Sequence, residues 1–364
     1  MMRSQESPKH RTVPRAALAL ALLGILILGS AFRFYNVNWD EGTYHIHPDE
    51  RHTTMVVTRI QWPASLAEYF DTSRSPLNAR NVDTVYFYGT LPLFLTKAVA
   101  GQLDALAPRV PFLEADQSFG SYDRVHLVGR VLSALFDLGS VLLTFFLGRR
   151  LFGWRVGLAA AFLLSVTVLN IQGSHYFAVD TFLTFFVILT IWFTLDVAEG
   201  RGWPSFLGLG LSMGLTLACK VSVFLLVVVV ALGAWVRIRR RLLALPARPS
   251  VAAGGEGVGA LLGTTLGLTL AVFVALAVFR VAQPYAWAGP NFDAWEGISE
   301  GLAGPFEVFR AMPEPLRAVV MPNPQWLDDI ASAGAQQTGE ADLPWGRQWT
   351  ERAPWLWPLE NMVL

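Results

Sequence analysis

The segment formed by residues 38–51 concentrates side chains that could carry chemistry. It holds two acidic pairs and two histidines, which are Asp40, Glu41, Asp49, Glu50, His45 and His47. Carboxylates accept protons and hold cations, so the cluster suits a general base that deprotonates an acceptor. The same residues also fit the start of a helix, because Pro48 favours the first helical position and Asp49 would face the positive end of the helix dipole. Both roles can hold together.

The two histidines of this segment raise the question of a metal. His45 and His47, with carboxylates nearby, are ligand types that a divalent cation accepts. Two histidines at this spacing in a loop do not define a coordination geometry. We therefore predict no resident metal site and no definite cofactor, and keep a divalent metal as an alternative. The single cysteine, Cys219, excludes an intramolecular disulfide and a cysteine-based zinc site.

Charged residues also occur singly within or beside apolar stretches. Asp180 and Lys220 each interrupt a long apolar run. Charges inside a membrane are expensive, so such residues are usually functional or paired, although water or snorkelling can serve them at turns. Arg130 begins one apolar stretch and Arg280 ends the last one. These cations suit a phosphate-bearing lipid, and anchoring at the membrane interface is the alternative for the arginines.

The composition indicates that these residues belong to a membrane protein. Of the 364 residues, 53% are hydrophobic and only 15% are charged, and the mean hydropathy is +0.41. Soluble domains carry about 25% charged residues, and disordered chains combine low hydrophobicity with high net charge. The 28 basic and 28 acidic residues leave no net charge that would favour nucleic acid. Because the apolar residues fall in long blocks, the sequence predicts an all-α polytopic membrane protein.

Seven membrane-spanning helices are predicted from these blocks. Their approximate ranges are 16–34, 130–148, 156–173, 177–197, 203–219, 221–236 and 258–281. The two longest blocks are divided near Asp180 and at Lys220, since about 20 residues suffice for one crossing. With this division, the arginine clusters at 149–155, 201 and 237–241 all face the cytoplasm, as the positive-inside rule expects.

The predicted spans divide the chain into three regions. These are a cytoplasmic N-terminus (1–15), a transmembrane domain (16–281, with an outer loop at about 35–129) and an extracytoplasmic tail (282–364), expected to be an incomplete C-terminal region. The apolar segment 86–106 is expected to lie along the outer interface or to be partly re-entrant, because a full crossing would turn Arg149 outwards. The predicted location is the cell membrane, with multiple spans and a cytoplasmic N-terminus.

Several short motifs, taken in their order, resemble the family 39 glycosyltransferases of the GT-C fold. This family includes the protein O-mannosyltransferases and the lipid A aminoarabinose transferases. The motifs are Pro48-Asp49-Glu50-Arg51, Tyr88-Gly89-Thr90-Leu91-Pro92-Leu93, Gly129-Arg130-Val131, Gly148-Arg149-Arg150-Leu151-Phe152-Gly153, Ala178-Val179-Asp180 and Cys219-Lys220. The resemblance covers about residues 15–285, and it implies a GT-C-like bundle with a large first outer loop carrying juxtamembrane helices.

The resemblance also implies an activity and roles for single residues. Such an enzyme moves a sugar from a polyprenyl-phosphate donor to an acceptor at the outer membrane face, and the acceptor here is an unknown protein, lipid or glycan. Asp49 matches the catalytic carboxylate and would be the general base, with Glu50 beside it and Asp180 as a second catalytic acid residue. The expected substrate-binding residues are Lys220, Arg130, His47 and Arg280.

Two other classes of function remain open. In a lipid or sugar transporter, Asp180 and Lys220 would act as relay charges near the middle of the membrane. In a non-catalytic scaffold, the acidic pairs would serve only as helix starts. Depth in the membrane discriminates between the transferase and the transporter. Carboxylates at the outer interface favour a transferase, and carboxylates near the middle of the membrane favour a transporter. We therefore expect Asp49, Asp180 and Lys220 to converge on one outward-facing cavity.

Overall fold

The computed structural model consists of helices joined by turns and loops over the residues that it describes, namely 14–41, 47–82, 84, 86–110, 116–243, 251–290, 306–309 and 311–338. The all-α prediction is confirmed for this part of the chain. The helices are α1 (Arg15–Phe34), α2 (Pro48–Arg59), α3 (Leu66–Tyr69), α4 (Leu91–Leu106), α5 (Tyr122–Phe152), α6 (Trp154–Ser165), α7 (Val168–Ser174), α8 (Val179–Ala198), α9 (Trp203–Cys219), α10 (Leu226–Leu243), α11 (Val251–Ala282), α12 (Glu314–Val320) and α13 (Pro324–Thr338).

Five of the seven predicted spans have helices that are long and apolar enough to cross a bilayer. Within the described residues they are Arg15–Phe34, Tyr122–Phe152, Val179–Ala198, Val221–Leu243 and Leu261–Ala282. Each has at least 20 residues, and a helix of that length spans the hydrocarbon core of about 30 Å. The length and position of the apolar blocks in the sequence therefore predicted these five helices correctly.

The other two predicted spans differ from a straight crossing helix. The segment predicted at 156–173 is formed by α6 and α7, which are bent by 57° at a break; taken together as one broken crossing, they are the sixth candidate span of the described residues. The hydroxyls of Ser165 and Thr167 donate to carbonyls of the preceding turn, Phe162 and Leu163, and such bonds compete with a regular helix. The segment at 203–219 is the apolar helix α9, which has only 17 residues.

The helix α4 occupies most of the doubtful segment 86–106. It has 16 residues and packs against α2, α5 and α9. A helix of this length is shorter than a usual transmembrane span. The expectation that it lies at the outer interface or is partly re-entrant stays a prediction.

The bundle separates its charged groups towards two ends. At one end, Arg150 pairs with Asp196 and Glu199, and Arg237 donates to the carbonyls of Val197 and Arg201. The hydrogen bond from Arg150 lowers the pKa of Glu199 below its usual value. The residues predicted to face outwards, including Lys220, are brought together at the opposite end, as described below. The structure thus groups the arginine clusters as the sequence predicted.

Which end faces the cytoplasm is a testable prediction. Reporter fusions placed after Arg150 and after Arg201 should report a cytoplasmic location, because both belong to the arginine-rich end. Fusions near Asp49 and Gly289 should report the outside. The measurement is a paired alkaline-phosphatase and fluorescent-protein fusion at each point, with expression controlled by immunoblot. A cytoplasmic signal at Asp49 would reverse the predicted orientation.

The loop before α4 crosses the end of α9 at very short range. The N–H of Gly89 donates to the carbonyl of Cys219 at 2.9 Å. A Cβ atom at Gly89 would lie 1.9 Å from the carbonyl oxygen of Ala218. Only glycine fits this crossing, which carries Tyr88 to the neighbourhood of Lys220.

We expect Gly89→Ala to destabilise the protein by about 1–3 kcal/mol or more, because the loop has to move away from α9. Gly101→Ala is the matched control, since a Cβ at this exposed position in α4 meets nothing within 4 Å. Alanine there should be neutral or stabilising by up to about 1 kcal/mol. Thermal unfolding of the purified proteins in one detergent measures both effects, and equal melting temperatures for Gly89→Ala and wild type would contradict the close crossing.

Candidate functional site

A buried ionic cluster lies where α1 leads into the loop that precedes α2. The guanidinium of Arg130 on α5 contacts both Asp40 and Glu50, with N–O distances of 2.6 to 3.0 Å. A further bond reaches the carbonyl of Val37 at 2.8 Å. These contacts use all five N–H donors of the arginine. The side chains of Arg130, Asp40 and Glu50 are all fully buried.

This cluster changes the roles expected for two residues. Arg130 was expected to bind the donor phosphate, but it has neither exposed surface nor an N–H donor to spare. Glu50 was expected beside the base, but its carboxylate accepts from Arg130 and from the N–H of Phe177 at 2.8 Å. The geometry therefore argues against direct substrate contact by either residue. They instead hold the start of α2 against α5 and against the turn before α8.

The pKa of the Asp40 carboxyl group lies below its usual value. Burial by itself raises the pKa of this carboxyl group, but the hydrogen bonds and charge of Arg130 outweigh burial and lower it below the usual value. A carboxylate whose pKa is lowered by a cation is favoured in its charged form. Asp40 therefore stays negative at neutral pH and remains paired with Arg130.

A second, more accessible group of charges forms around Tyr88. Lys220, at the end of α9, lies 3.3 Å from the carboxylate of Asp180 in the first turn of α8. The Lys220 ammonium also lies 5.6 Å from the centre of the Tyr88 ring. Asp49 is exposed in the first turn of α2, and its negative charge lies close enough to Tyr88 to raise the pKa of the phenol. Asp49, Asp180 and Lys220 thus come together around one tyrosine.

Burial and the negative charges of Asp49 and Asp180 raise the pKa of Tyr88 to about 12. The phenol therefore remains protonated at neutral pH and can act as a hydrogen-bond donor. The Asp180–Lys220 pair is open to solvent, with 67% of the Asp180 side chain and 30% of the Lys220 side chain exposed. Such a pair is weak and can exchange partners, in contrast to the buried cluster around Arg130.

The two remaining predicted site residues lie in different places. His47 directly precedes α2, and its ring packs against Tyr176 at 4.5 Å between centres. Arg280, near the end of α11, donates to the carbonyl of Pro284 at 2.7 Å and lies over the ring of Phe70. His47 is therefore next to the site, whereas Arg280 contacts Pro284 of the tail and the loop at Phe70. 

The alternative of a divalent metal gains no support from the described residues. No group of three histidine, cysteine, aspartate or glutamate side chains comes together as a metal site in the part of the chain that the structure describes. His45 lies outside the described residues.

Sequence reasoning missed two aromatic residues of the site. Tyr88 belongs to the Tyr88–Leu93 motif, but no role was expected for it. Its position directly before Gly89 in that motif is the one signal in the sequence that could have indicated it. Trp39 directly precedes the first acidic pair, and its indole N–H donates to the carbonyl of His175 at 3.3 Å. Its ring also lies 5.3 Å from the Arg130 guanidinium, at cation–π range. No local pattern indicated these distant contacts.

An open apolar groove runs beside the site. Its volume is about 520 Å³, and it lies between α4, α9 and α11. The lining residues are Trp62, Tyr69, Leu91, Phe94, Leu215, Ala277, Val278, Val281 and Ala282. Leu215 lies five residues before Lys220, and Leu91 lies three residues after Tyr88, so the groove and the charged site belong to the same end of the bundle. A groove of this composition suits an apolar chain.

The fold and the site together define a polytopic helical membrane protein with a charged site at one end of the bundle. Residues 122–253 match the family model described as dolichyl-phosphate-mannose-protein mannosyltransferase. The resemblance to the family 39 glycosyltransferases is thereby confirmed for residues 122–253, which are about a third of the chain. The matched residues begin with α5 and include Arg130, Asp180 and Lys220.

Among solved structures, the chain is similar to the S. cerevisiae protein O-mannosyltransferase Pmt1-Pmt2 complex bound to the sugar donor. The sequence identity is 18% and the TM-score is 0.49. The match covers 77% of this chain and 35% of the yeast chain, so this chain spans little more than a third of its length. No curated protein matches the sequence significantly.

Proposed function

We propose that this chain is a membrane glycosyltransferase that moves a sugar from a polyprenyl-phosphate donor to an acceptor hydroxyl at the outer face of the cell membrane. The observation that carries the proposal is the group of Asp49, Asp180 and Lys220 around Tyr88, beside an apolar groove. The description of the matching family model names a dolichyl-phosphate sugar, which supports a donor of this chemical class. The acceptor is a protein, a lipid or a glycan.

Asp49 is the proposed general base. Of the four carboxylates in the 38–51 segment, Asp40 and Glu50 are buried and paired with Arg130, whereas Glu41 and Asp49 are exposed. Of the two exposed carboxylates, Asp49 is the one whose charge acts on Tyr88. The protonated Tyr88 hydroxyl can orient the Asp49 carboxylate by donating to it. A base must reach the proton that it removes, and only an accessible carboxylate can meet an acceptor hydroxyl.

Lys220 is the proposed partner of the leaving phosphate. Its present partner, Asp180, is largely exposed, so the pair is weak and the donor phosphate, which gains negative charge as its bond to the sugar breaks, can replace the carboxylate. The groove lies on the same end of α9, which would place a bound lipid tail beside Leu215 and its phosphate near Lys220. Positive charge at the leaving oxygen and a base at the attacking hydroxyl are what an inverting transfer requires.

The position of these charges favours transfer over transport. Asp180 lies in the first turn of α8 and Lys220 at the last turn of α9, so both are at helix ends. A relay in a transporter needs ionisable groups near the middle of the membrane. An exposed pair at helix ends fits chemistry at the membrane interface better.

We expect Lys220→Ala to lower transfer by about 30- to 1,000-fold, since a contact that stabilises developing negative charge contributes roughly 2–4 kcal/mol. The measurement is the release of polyprenyl phosphate from a polyprenyl-phosphate-linked sugar by purified protein in lipid nanodiscs. Arg124→Ala is the matched control, because this cation lies on the same end of the bundle but contacts Gln117 and Phe119 instead. Full turnover by Lys220→Ala would remove Lys220 from the proposed mechanism.

A further inference from the structure

A second buried ion pair lies deeper in the bundle than the Arg130 cluster. Arg33, in the last turn of α1, contacts the carboxylate of Asp137 on α5 at 2.6 Å through both Nε and Nη2. Both side chains have at most 1% of their surface exposed. Asp137 lies two helical turns beyond Arg130 on α5, so its charge is remote from the Tyr88 site. Buried charges are costly, which calls for a reason for this pair.

The arginine of this pair caps the break between α6 and α7. Its Nη1 donates to the carbonyl of Ser165 at 2.8 Å, and its Nη2 donates to the carbonyl of Leu164 at 3.2 Å. Ser165 is the last residue of α6, where a carbonyl group has no partner within the helix, whereas the Leu164 carbonyl also accepts from the N–H of Thr167 at 3.3 Å. Buried carbonyls without a partner are unfavourable, so Arg33 stabilises the broken form of this span.

The carboxylate of the pair holds the other side of the break. Asp137 accepts a hydrogen bond from the side-chain amide of Asn170 on α7 at 3.0 Å. Arg33 and Asp137 therefore contact both halves of the bent span, one on each side of the 57° bend. A straight helix would move Asn170 and both carbonyls out of this arrangement.

The short helix α7 leads from the break to the site. After α7, the ring of His175 lies 3.0 Å from the carbonyl of Tyr35. The N–H of Phe177 then donates to Glu50 at 2.8 Å. Asp180 follows three residues later in the first turn of α8. The direction of α7 thus sets where the 175–180 turn and its carboxylate lie.

We propose that Arg33 and Asp137 are positioning residues. They keep the segment formed by α6 and α7 broken, so that α7 places Asp180 at the Tyr88 site. This inference rests on the proposed function for its effect on turnover. Neither side chain touches the site, so the effect is on geometry alone. A small misplacement by a distant change can cost about 10²-fold in rate.

The test compares three full-length variants in lipid nanodiscs. Arg33→Met combined with Asp137→Leu removes both charges together and avoids a lone buried charge, so it should fold. Arg33→Lys keeps the charge but lacks the planar fork that covers two carbonyls and a carboxylate. Arg237→Met is the control, because Arg237 is also buried and also donates to two backbone carbonyls, but at the opposite end of the bundle.

Two readouts separate this inference from the proposed function. Backbone hydrogen exchange over residues 168–178 should become faster in the double variant, should be intermediate in Arg33→Lys, and should be unchanged in Arg237→Met. With a polyprenyl-phosphate-linked sugar, kcat of the double variant should fall about 10²-fold while KM for the donor stays the same.

Wild-type exchange and wild-type kcat in a folded double variant would overturn the inference. If wild-type protein turns over no such donor, the proposed function fails, and the exchange measurement still decides the role of Arg33.

Discussion

Replacing Asp49 with asparagine is expected to lower turnover by about 10²–10⁴-fold, the contribution that a positioned general base typically makes. Asparagine keeps the size of the side chain at the exposed start of α2 but cannot accept the proton. Donor binding should persist, because the proposed phosphate partner is Lys220. The measurements are kcat with a polyprenyl-phosphate-linked sugar and donor affinity by titration, each on purified full-length protein.

A matched control separates the base from a simple helix-start role. Asp123 is also an exposed aspartate in the first turn of a helix, α5. Asp123→Asn and Asp49→Asn should each lose about 0.3–1 kcal/mol of stability from the helix dipole. Only Asp49→Asn should lose turnover. Wild-type turnover in Asp49→Asn would show that Asp49 only begins a helix, and the base would then be sought at Asp180.

Replacing Arg130 with methionine is expected to destabilise the protein by about 3–5 kcal/mol, the cost of leaving a buried charge without its partner. Asp40 and Glu50 would both stay fully buried after the change, and together they now accept four hydrogen bonds from this arginine. The structure therefore predicts a folding defect rather than a defect in donor binding. Thermal unfolding in detergent and the yield of monodisperse protein measure the effect.

A compensated variant tests the physical cause. Combining Arg130→Met with Asp40→Asn and Glu50→Gln removes all three charges, and it should recover much of the lost stability because no lone charge remains buried. Arg124→Met, on the same helix but at the surface, should unfold like wild type. A stable Arg130→Met protein that fails only to bind the donor would contradict the buried cluster and restore the expected phosphate role of Arg130.

The sequence by itself determined the class of protein and the position of most helices. Composition and the length of the apolar blocks suffice for this, because crossing a bilayer imposes about 20 apolar residues on each helix. The pairing of Asp180 with Lys220 was also foreseeable, since single charges in apolar runs are expensive and tend to find a partner. The family motifs added the GT-C type and the candidate carboxylate at Asp49.

Only the tertiary structure decided which charged residues are accessible and which are structural. Glu50 follows Asp49 directly, yet one is buried against Arg130 and the other is exposed beside Tyr88. On a helix, adjacent residues point in directions about 100° apart, so their surroundings depend on which neighbours pack there. Those neighbours come from positions 80 or more residues away along the chain. Local patterns do not encode such contacts, and for the same reason the break held by Arg33 and Asp137 could not be read from the apolar run that contains it.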